Sequence, residues 1–480
     1  VSDEHFVEQK DVQGNILCGY GNAFRYALYL FIRFGDDQRA TRAWLRDLIP
    51  DITTAEPWRP ASNKPAETLN VAFTHRGLKR LGVPKSVRKT FPDEFRQGMA
   101  KRAELIGDTG DSGPDRWKTA LRKSHAVLIV TAREDARAEC AAQHERRLAA
   151  HGARVTYAQH AGLIGGGAGE SYAREHFGFA DGFSQPAIRG NGGPDTREGM
   201  GTPTKDGWDE VAPGEFVLGY LGEDGLEPYA PAAPLGRGGS FMVLRKLHQD
   251  VPAFREYLRR AAETELGFLD PEAELPATAE QVIAAKMVGR WQDGRSLVTS
   301  DLPTVPANDP ALDATRINRF RYRGNSDHPA EPEHPTDPDG VRCPIGAHVR
   351  RANPRDSIGW DGLLTKRHRI IRRGMPYGDP LPAGREQDGK DRGLIFVAYQ
   401  SSIERQFELI QSRWLNDGDA FWLGTEKDCL STDTGMTVQG PGQPTYLPPP
   451  DRPFITTRGG DYFFVPGLTA LRALAAAYWL

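Results

Sequence analysis

The chain alternates short apolar strands with helix-length segments, and it does so twice. Residues 24–34 (FRYALYLFIRF) are apolar and aromatic, with Leu28, Leu30, Ile32 and Phe34 on one face, which reads as a strand. A helix is expected at 37–48, a short strand at 70–74, a buried strand at 125–130 (HAVLIV), a stretch rich in helix formers at 134–150 and a strand at 155–159. This β-α-β … β-α-β order matches a split βαβ, ferredoxin-like unit better than a parallel doubly wound sheet. The second half has a similar rhythm: strand 240–247, helix 251–264, buried strand 394–399 (LIFVAY), helix 403–416, strand 462–465 and a closing helix 468–480. The spacing predicts an α+β fold of two ferredoxin-like halves, antiparallel sheets with helices, divided as 1–215 and 216–480.

Long connections separate these elements. The chain holds 52 glycines and 36 prolines, roughly 18 % against a usual ~12 % and short of the ~25–30 % of low-complexity disorder. The surplus concentrates at 162–222 and 300–345. Irregular stretches of that length inside a compact domain tend to be functional or to wrap something. The net charge of −3, from 61 basic and 64 acidic residues, gives no basic excess for nucleic acid or an anionic membrane surface. No apolar run approaches the ~20 residues needed to span a bilayer. Cys18, Cys140, Cys343 and Cys429 show no C-x-x-C spacing; neither a zinc site nor a dense disulfide framework is expected. The first residues, VSDEHFVEQKDVQGN, lack a signal-peptide pattern. That favours the cytoplasm, with secretion following if a leader has been removed.

Four segments could carry chemistry. LIGGGAGE (163–170) has the glycines of a phosphate-cradling loop but not the G-x-G-x-x-G spacing, so a connecting loop is the better reading. EHFGFADGFSQP (175–186) sets Asp181 among Phe177, Phe179 and Phe183. An aspartate in an apolar loop must be hydrogen-bonded or put to use; it either caps a turn or serves a buried ligand. CPIGAHVRRANPRD (343–356) sets His348 between apolar neighbours and a basic run, Arg350, Arg351 and Arg355. A lone histidine there is a core residue or an axial ligand of haem, with small neighbours to admit the flat ring and cations for its propionates. HRIIRRGMPYG (368–378) suggests a strand on which Arg372 and Arg373 point to opposite faces, so one can face inward.

Together the last three of these segments resemble one family, the dye-decolorising peroxidases, in particular its larger fungal and actinobacterial members. The resemblance runs from DVQGNIL (11–17) through GFADG (178–182), MVGRW (287–291), AHVR (347–350) and RRGMPYG (372–378) to GLIF (393–396). It implies that haem b sits between the two halves. His348 is then the proximal iron ligand, and Asp181 and Arg372 are the catalytic pair on the distal side. Leu394 and Phe396 crowd the distal pocket, and Arg350 or Arg351 meets a propionate. Arg373 takes the next place.

The implied activity is reduction of hydrogen peroxide and oxidation of dyes, phenolics or similar aromatic reductants through high-valent haem. A carboxylate base stays ionised at lower pH than histidine does, so an acidic optimum is expected for dye oxidation. The alternative on the same fold is a haem-binding or haem-handling protein, for which a distal acid/base pair has no use. His348 needs a second acceptor for its far nitrogen; Glu408 and the acidic pair within 417–419 are the candidates. Bulky dyes require a relay to the surface, and Tyr377 is the expected one, ahead of Trp360 and Trp414. The acidic stretch 326–340 permits a manganese site without implying one. The closing helix, with Leu468, Leu471, Leu474, Tyr478 and Trp479, packs on the core or on a second subunit, giving a monomer or a homodimer.

Overall fold

The computed structural model describes residues 6–20, 23–58, 63–133, 137–166, 172–191, 202–204, 207–264, 277–300, 317–318, 320–324, 335–360, 362–440 and 443–479. The second part of LIGGGAGE and most of the acidic 326–340 stretch lie outside these residues. The first half contributes β1 (Tyr26–Arg33), α1 (Gln38–Leu48), β2 (Glu67–Phe73), β3 (Ala126–Ala132), α2 (Arg137–Ala150) and β4 (Arg154–Gly162). The second half contributes β5 (Ser240–Gln249), α3 (Val251–Thr264), α4 (His348–Ala352), β6 (Ile371–Arg372), β7 (Met375–Tyr377), β8 (Gly393–Gln400), β9 (Ile455–Val465) and α5 (Leu468–Ala476).

All these strands join one antiparallel sheet in the order β6-β8-β5-β9-β2-β3-β1-β4, with β7 beside β8. Each half keeps the ferredoxin-like order: β4-β1-β3-β2 in the first and β9-β5-β8-β6 in the second. The halves fuse where β9 meets β2, at the single pair Phe464↔Phe73. Gln13, from the DVQGNIL segment, closes that seam. Its buried amide donates to Val71 O and Pro466 O, both at 2.9 Å, and accepts Val71 N–H at 2.8 Å.

The sheet curls into a barrel. Its last strand, β4, returns alongside β7, and Lys246 of β5 donates to Gln159 of β4 at 2.9 Å. Strand alternation explains how both faces are filled. Tyr29, Phe31, Val127, Ile129, Leu244, Ile395, Val397, Tyr399 and Phe463 point into the barrel. Leu28, Leu30, Ile32 and Phe34 point outward with Val71, Phe73, Leu128 and Val130, under Trp44, Leu45 and Leu48 of α1 and Leu471 and Leu474 of α5. Asp37 caps α1, accepting from the Arg39 N–H at 2.7 Å and the Ala40 N–H at 3.2 Å.

Two elements differ from expectation. The 403–416 helix is a wide π-helix, Glu404–Glu408 and Ile410–Leu415, with Glu408 N–H reaching Ile403 O at 2.9 Å. The closing helix stops at Ala476, because Ala477 adopts a left-handed conformation. Among the described residues no helix is long and apolar enough to cross a membrane.

Candidate active site

The outward face of the second-half sheet forms one wall of a cavity of about 360 Å³, within the ~300–1,000 Å³ range of ligand pockets. Alternation again decides which side chains reach it. Arg372 comes from β6, Leu394 and Phe396 from β8, Leu247 and Gln249 from β5, and Ile455 and Thr457 from β9. The other wall comes from α4, with His348, Val349 and Ala352, and from the π-helix. The wider π turn lets Phe407, Ile410, Gln411, Trp414 and Leu415 all line the space.

His348 opens α4. Its Nδ1 lies 2.9 Å from Oδ1 of Asp428, which is fully buried. About a third of the His348 side chain, 34 %, is exposed, and it lines the cavity. Burial pulls the imidazole's affinity for protons down, but the Asp428 carboxylate outweighs it and the net shift is upward. Burial likewise disfavours ionised Asp428, but His348, with the Ser431 hydrogen bond and the charge of Arg351, brings the net shift downward. Asp428 Oδ2 also accepts Ser431 N–H at 3.0 Å. The expected partners of His348 lie elsewhere. Glu408 pairs with Arg102 at 2.5 Å and accepts Tyr462 OH at 2.8 Å. Asp417 and Asp419 do not line the cavity.

Asp181 and Arg372 meet at its edge, Arg372 Nη1 3.5 Å from Asp181 Oδ1, and both are about 40 % exposed. The Asp181 loop turns on Gly178 (φ +96°) and Gly182 (φ +97°), in the left-handed region that glycine tolerates. Gly182 N–H donates to Asp181 Oδ1 at 2.6 Å. Arg372 is held from both ends. Its Nη2 donates to Phe183 O at 2.6 Å, and its backbone exchanges two bonds with the Gln185 amide, at 3.0 and 3.1 Å. Arg373 points away, its Nε donating to Asn15 O at 3.2 Å. Leu394 and Phe396 line the cavity.

Three expected site residues are elsewhere. Arg350 is buried behind the wall and fully engaged. It donates to Asp337 O and Cys343 O at 2.9 Å and to Pro338 O at 3.1 Å, and stacks over Tyr322 at 4.3 Å. Arg351 is likewise consumed by the carbonyls of Trp414 and Glu426. Neither lines the cavity; Arg290, Arg355 and Arg369 do. Among the described residues, neither Arg290 nor Arg355 has a carboxylate within ion-pair distance. Arg290 donates to Ser184 Oγ at 3.0 Å and Asn318 Oδ1 at 2.7 Å, and Arg355 to Asn318 O at 3.0 Å. Burial, then the charge of Arg355, pulls Arg290 down to about 10. Cations crowded at a cavity edge match an anionic ligand group. Tyr377 is not at the surface. It is 3 % exposed inside the barrel, its hydroxyl donating to Asp391 at 3.0 Å beneath the Lys246 ammonium. The exposed aromatic residues include Trp360 and Trp422, at 77 % and 86 %; Trp414 is buried on the cavity wall.

The donor set fits haem. The cavity has one imidazole braced by a carboxylate, an apolar belt, a cluster of arginines at one edge and an aspartate–arginine pair on the sheet side. A barrel-backed cavity of this make-up fits a haem protein. The N-terminal region, 11–160, matches the DyP dimeric alpha+beta barrel domain, and 321–421 matches the Dyp-type peroxidase C-terminal family. A dye-decolorizing peroxidase of Mycena epipterygia is 32 % identical, over 97 % of this chain and 87 % of that one. The multifunctional dye peroxidase DyP2 of an Amycolatopsis strain is 29 % identical, over 93 % and 91 %. The crystal structure of a decolorizing peroxidase from Auricularia auricula-judae superposes with a TM-score of 0.77 at 26 % identity, covering 98 % of this chain and all of that one. The chain belongs to the dye-decolorising peroxidase family and is a peroxidase.

Proposed function

We propose that this cavity takes haem b, that hydrogen peroxide is reduced there, and that dyes, phenolics or similar aromatic reductants supply the electrons. The observation that carries the proposal is the braced His348 on one wall with Asp181 beside Arg372 on the other. A non-covalent haem is favoured because none of the four cysteines lines the cavity to form a thioether link. When bound, haem supplies the iron that takes up peroxide and the ring that stores oxidising equivalents.

With Nδ1 engaged by Asp428, His348 would hold the iron through Nε2. Asp428, accepting from Nδ1–H, fixes the tautomer and makes the imidazole a stronger donor. Asp181 accepts a proton from one peroxide oxygen and returns it to the other, so that water can leave. Arg372 stays charged throughout and stabilises the negative charge on the departing oxygen. Leu394 and Phe396 keep the distal space small and apolar. Arg355 and Arg290, in place of Arg350, would be the residues to meet the propionates. The 1–215 half supplies Asp181, and the 216–480 half supplies His348 and Arg372.

The test is stopped-flow mixing of the holoenzyme with peroxide. Asp181→Asn is expected to slow the second-order reaction by roughly 100-fold or more, as loss of a general base does, with haem binding retained. A variant as fast as the wild type contradicts the assignment.

A further inference from the structure

We propose that Glu175 is a positioning residue for the distal carboxylate, shaping the loop that carries Asp181; this rests on the assignment of Asp181 as the proton carrier. Glu175 lies six residues before Asp181 and lines the same cavity. Its Oε2 accepts Phe177 N–H at 2.9 Å, and its Oε1 accepts Phe179 N–H at 2.9 Å. Gln249, from β5 of the sheet wall, donates to Oε2 at 2.5 Å. The Glu175 backbone closes the same turn: its N–H reaches Phe179 O, and its carbonyl accepts Gly178 N–H, both at 2.9 Å. One side chain thus organises the loop from inside and ties it to the sheet that carries Leu394, Phe396 and Arg372.

The bonds beyond the turn transmit that order. Ala180 N–H donates to Gln292 O at 2.8 Å, and Asp181 N–H to Ala173 O at 3.0 Å. Arg174 Nη1 bridges Gly178 O and Gln292 O, each at 2.8 Å. Phe177 packs on Phe254 with ring centroids 4.5 Å apart. Three donors converge on Glu175, and only a carboxylate offers acceptors on both terminal atoms. In glutamine, one terminal atom becomes an NH₂ group that opposes a converging N–H. Asp181 itself is about 40 % exposed and lightly held through its side chain, so its height over the cavity follows from the backbone that Glu175 shapes. Displacement of a reacting group by ~1 Å can cost ~100-fold in rate.

A double-mutant cycle tests this, with the second-order rate of the holoenzyme with peroxide as readout. Glu175→Gln is expected to slow that reaction by roughly tenfold or more when Asp181 is present, and by less than about twofold in the D181N background. Haem stoichiometry and the rate of reductant oxidation at saturating peroxide should change far less than the peroxide step. If E175Q does not fold, Gln249→Met removes one donor to the same carboxylate and runs the same cycle. Its expected loss is roughly threefold or more with Asp181 present and none in the D181N background. Equal slowing in both backgrounds, or no slowing in either, overturns the positioning role. The D181N single variant reads the underlying assignment by itself; if it matches the wild type, that assignment fails and the positioning role fails with it.

Discussion

Asp428 offers a graded perturbation of the His348 side of the cavity. It is fully buried, its Oδ1 is 2.9 Å from His348 Nδ1, and its Oδ2 takes Ser431 N–H at 3.0 Å and the Ser431 hydroxyl. Asp428→Asn keeps the shape and removes the charge. A hydrogen bond to a charged group is worth ~1.5–3 kcal/mol against ~1 for a neutral one, so the loss is about 0.5–2 kcal/mol. At ~1.4 kcal/mol per tenfold, haem should bind roughly 2–30-fold more weakly. This overlaps the ~10–100-fold cost usual when a histidine ligand loses its supporting carboxylate. The amide NH₂ also opposes Ser431 N–H, which moves the effect toward the upper end. Haem loss to an excess of apomyoglobin gives the ratio directly. The reduction potential of the bound haem should rise by on the order of 50 mV, since ~59 mV corresponds to tenfold for one electron. Haem loss within about twofold of wild type together with an unchanged potential would show that Asp428 does not tune the ligand.

Three further outcomes are expected. Burial raises Asp461 to about 6, so the folded chain holds a proton that the unfolded chain releases. That contribution is complete below the unfolded value near 3.8 and is lost as pH rises through about 6, a change of ~3 kcal/mol at ~1.4 kcal/mol per unit. Asp461→Asn keeps the Oδ1 acceptor for Met99 and Tyr462 N–H, so its stability relative to wild type in denaturant melts should grow between roughly pH 4 and 7; a constant difference contradicts this. Tyr377→Phe should cost about 1–3 kcal/mol through its lost bond to Asp391 and leave bulky-dye turnover unchanged. A selective loss of dye turnover would restore Tyr377 as a relay. Gln13→Leu removes the buried hydrogen bonds of its amide at the seam and should destabilise the fold by about 2–4 kcal/mol; an unchanged midpoint would mean that the halves do not depend on it.

Local pattern in the sequence carries the strands and the distal loop. Alternation in 24–34 placed Leu28, Leu30, Ile32 and Phe34 on one face, and they share one core. Opposite directions for Arg372 and Arg373 follow from strand period, and the two side chains diverge accordingly. Packing over long separations is less legible. Asp428 reaches His348 across 80 residues of sequence, and nothing in its neighbourhood marks it. Arg350, Arg351 and Arg355 are one basic run; only the orientation of α4 and the turn after it decides that Arg355 lines the cavity. The fusion of the halves rests on one residue pair, too small a feature to leave a pattern. Tyr377 did leave one: in β7 it shares the barrel-facing side with Met375, which the two-residue period alone could have shown. The π-helix has no signature that separates it from an ordinary helix.

We propose that His348 holds the haem from the wall facing Asp181 and Arg372. The most direct measurement is haem titration of His348→Gly followed by absorbance, with and without added imidazole. The variant should lose the histidine-ligated spectrum of the wild type and regain it when imidazole fills the vacated space. A variant with the wild-type spectrum and no response to imidazole would place the ligand elsewhere and contradict the account.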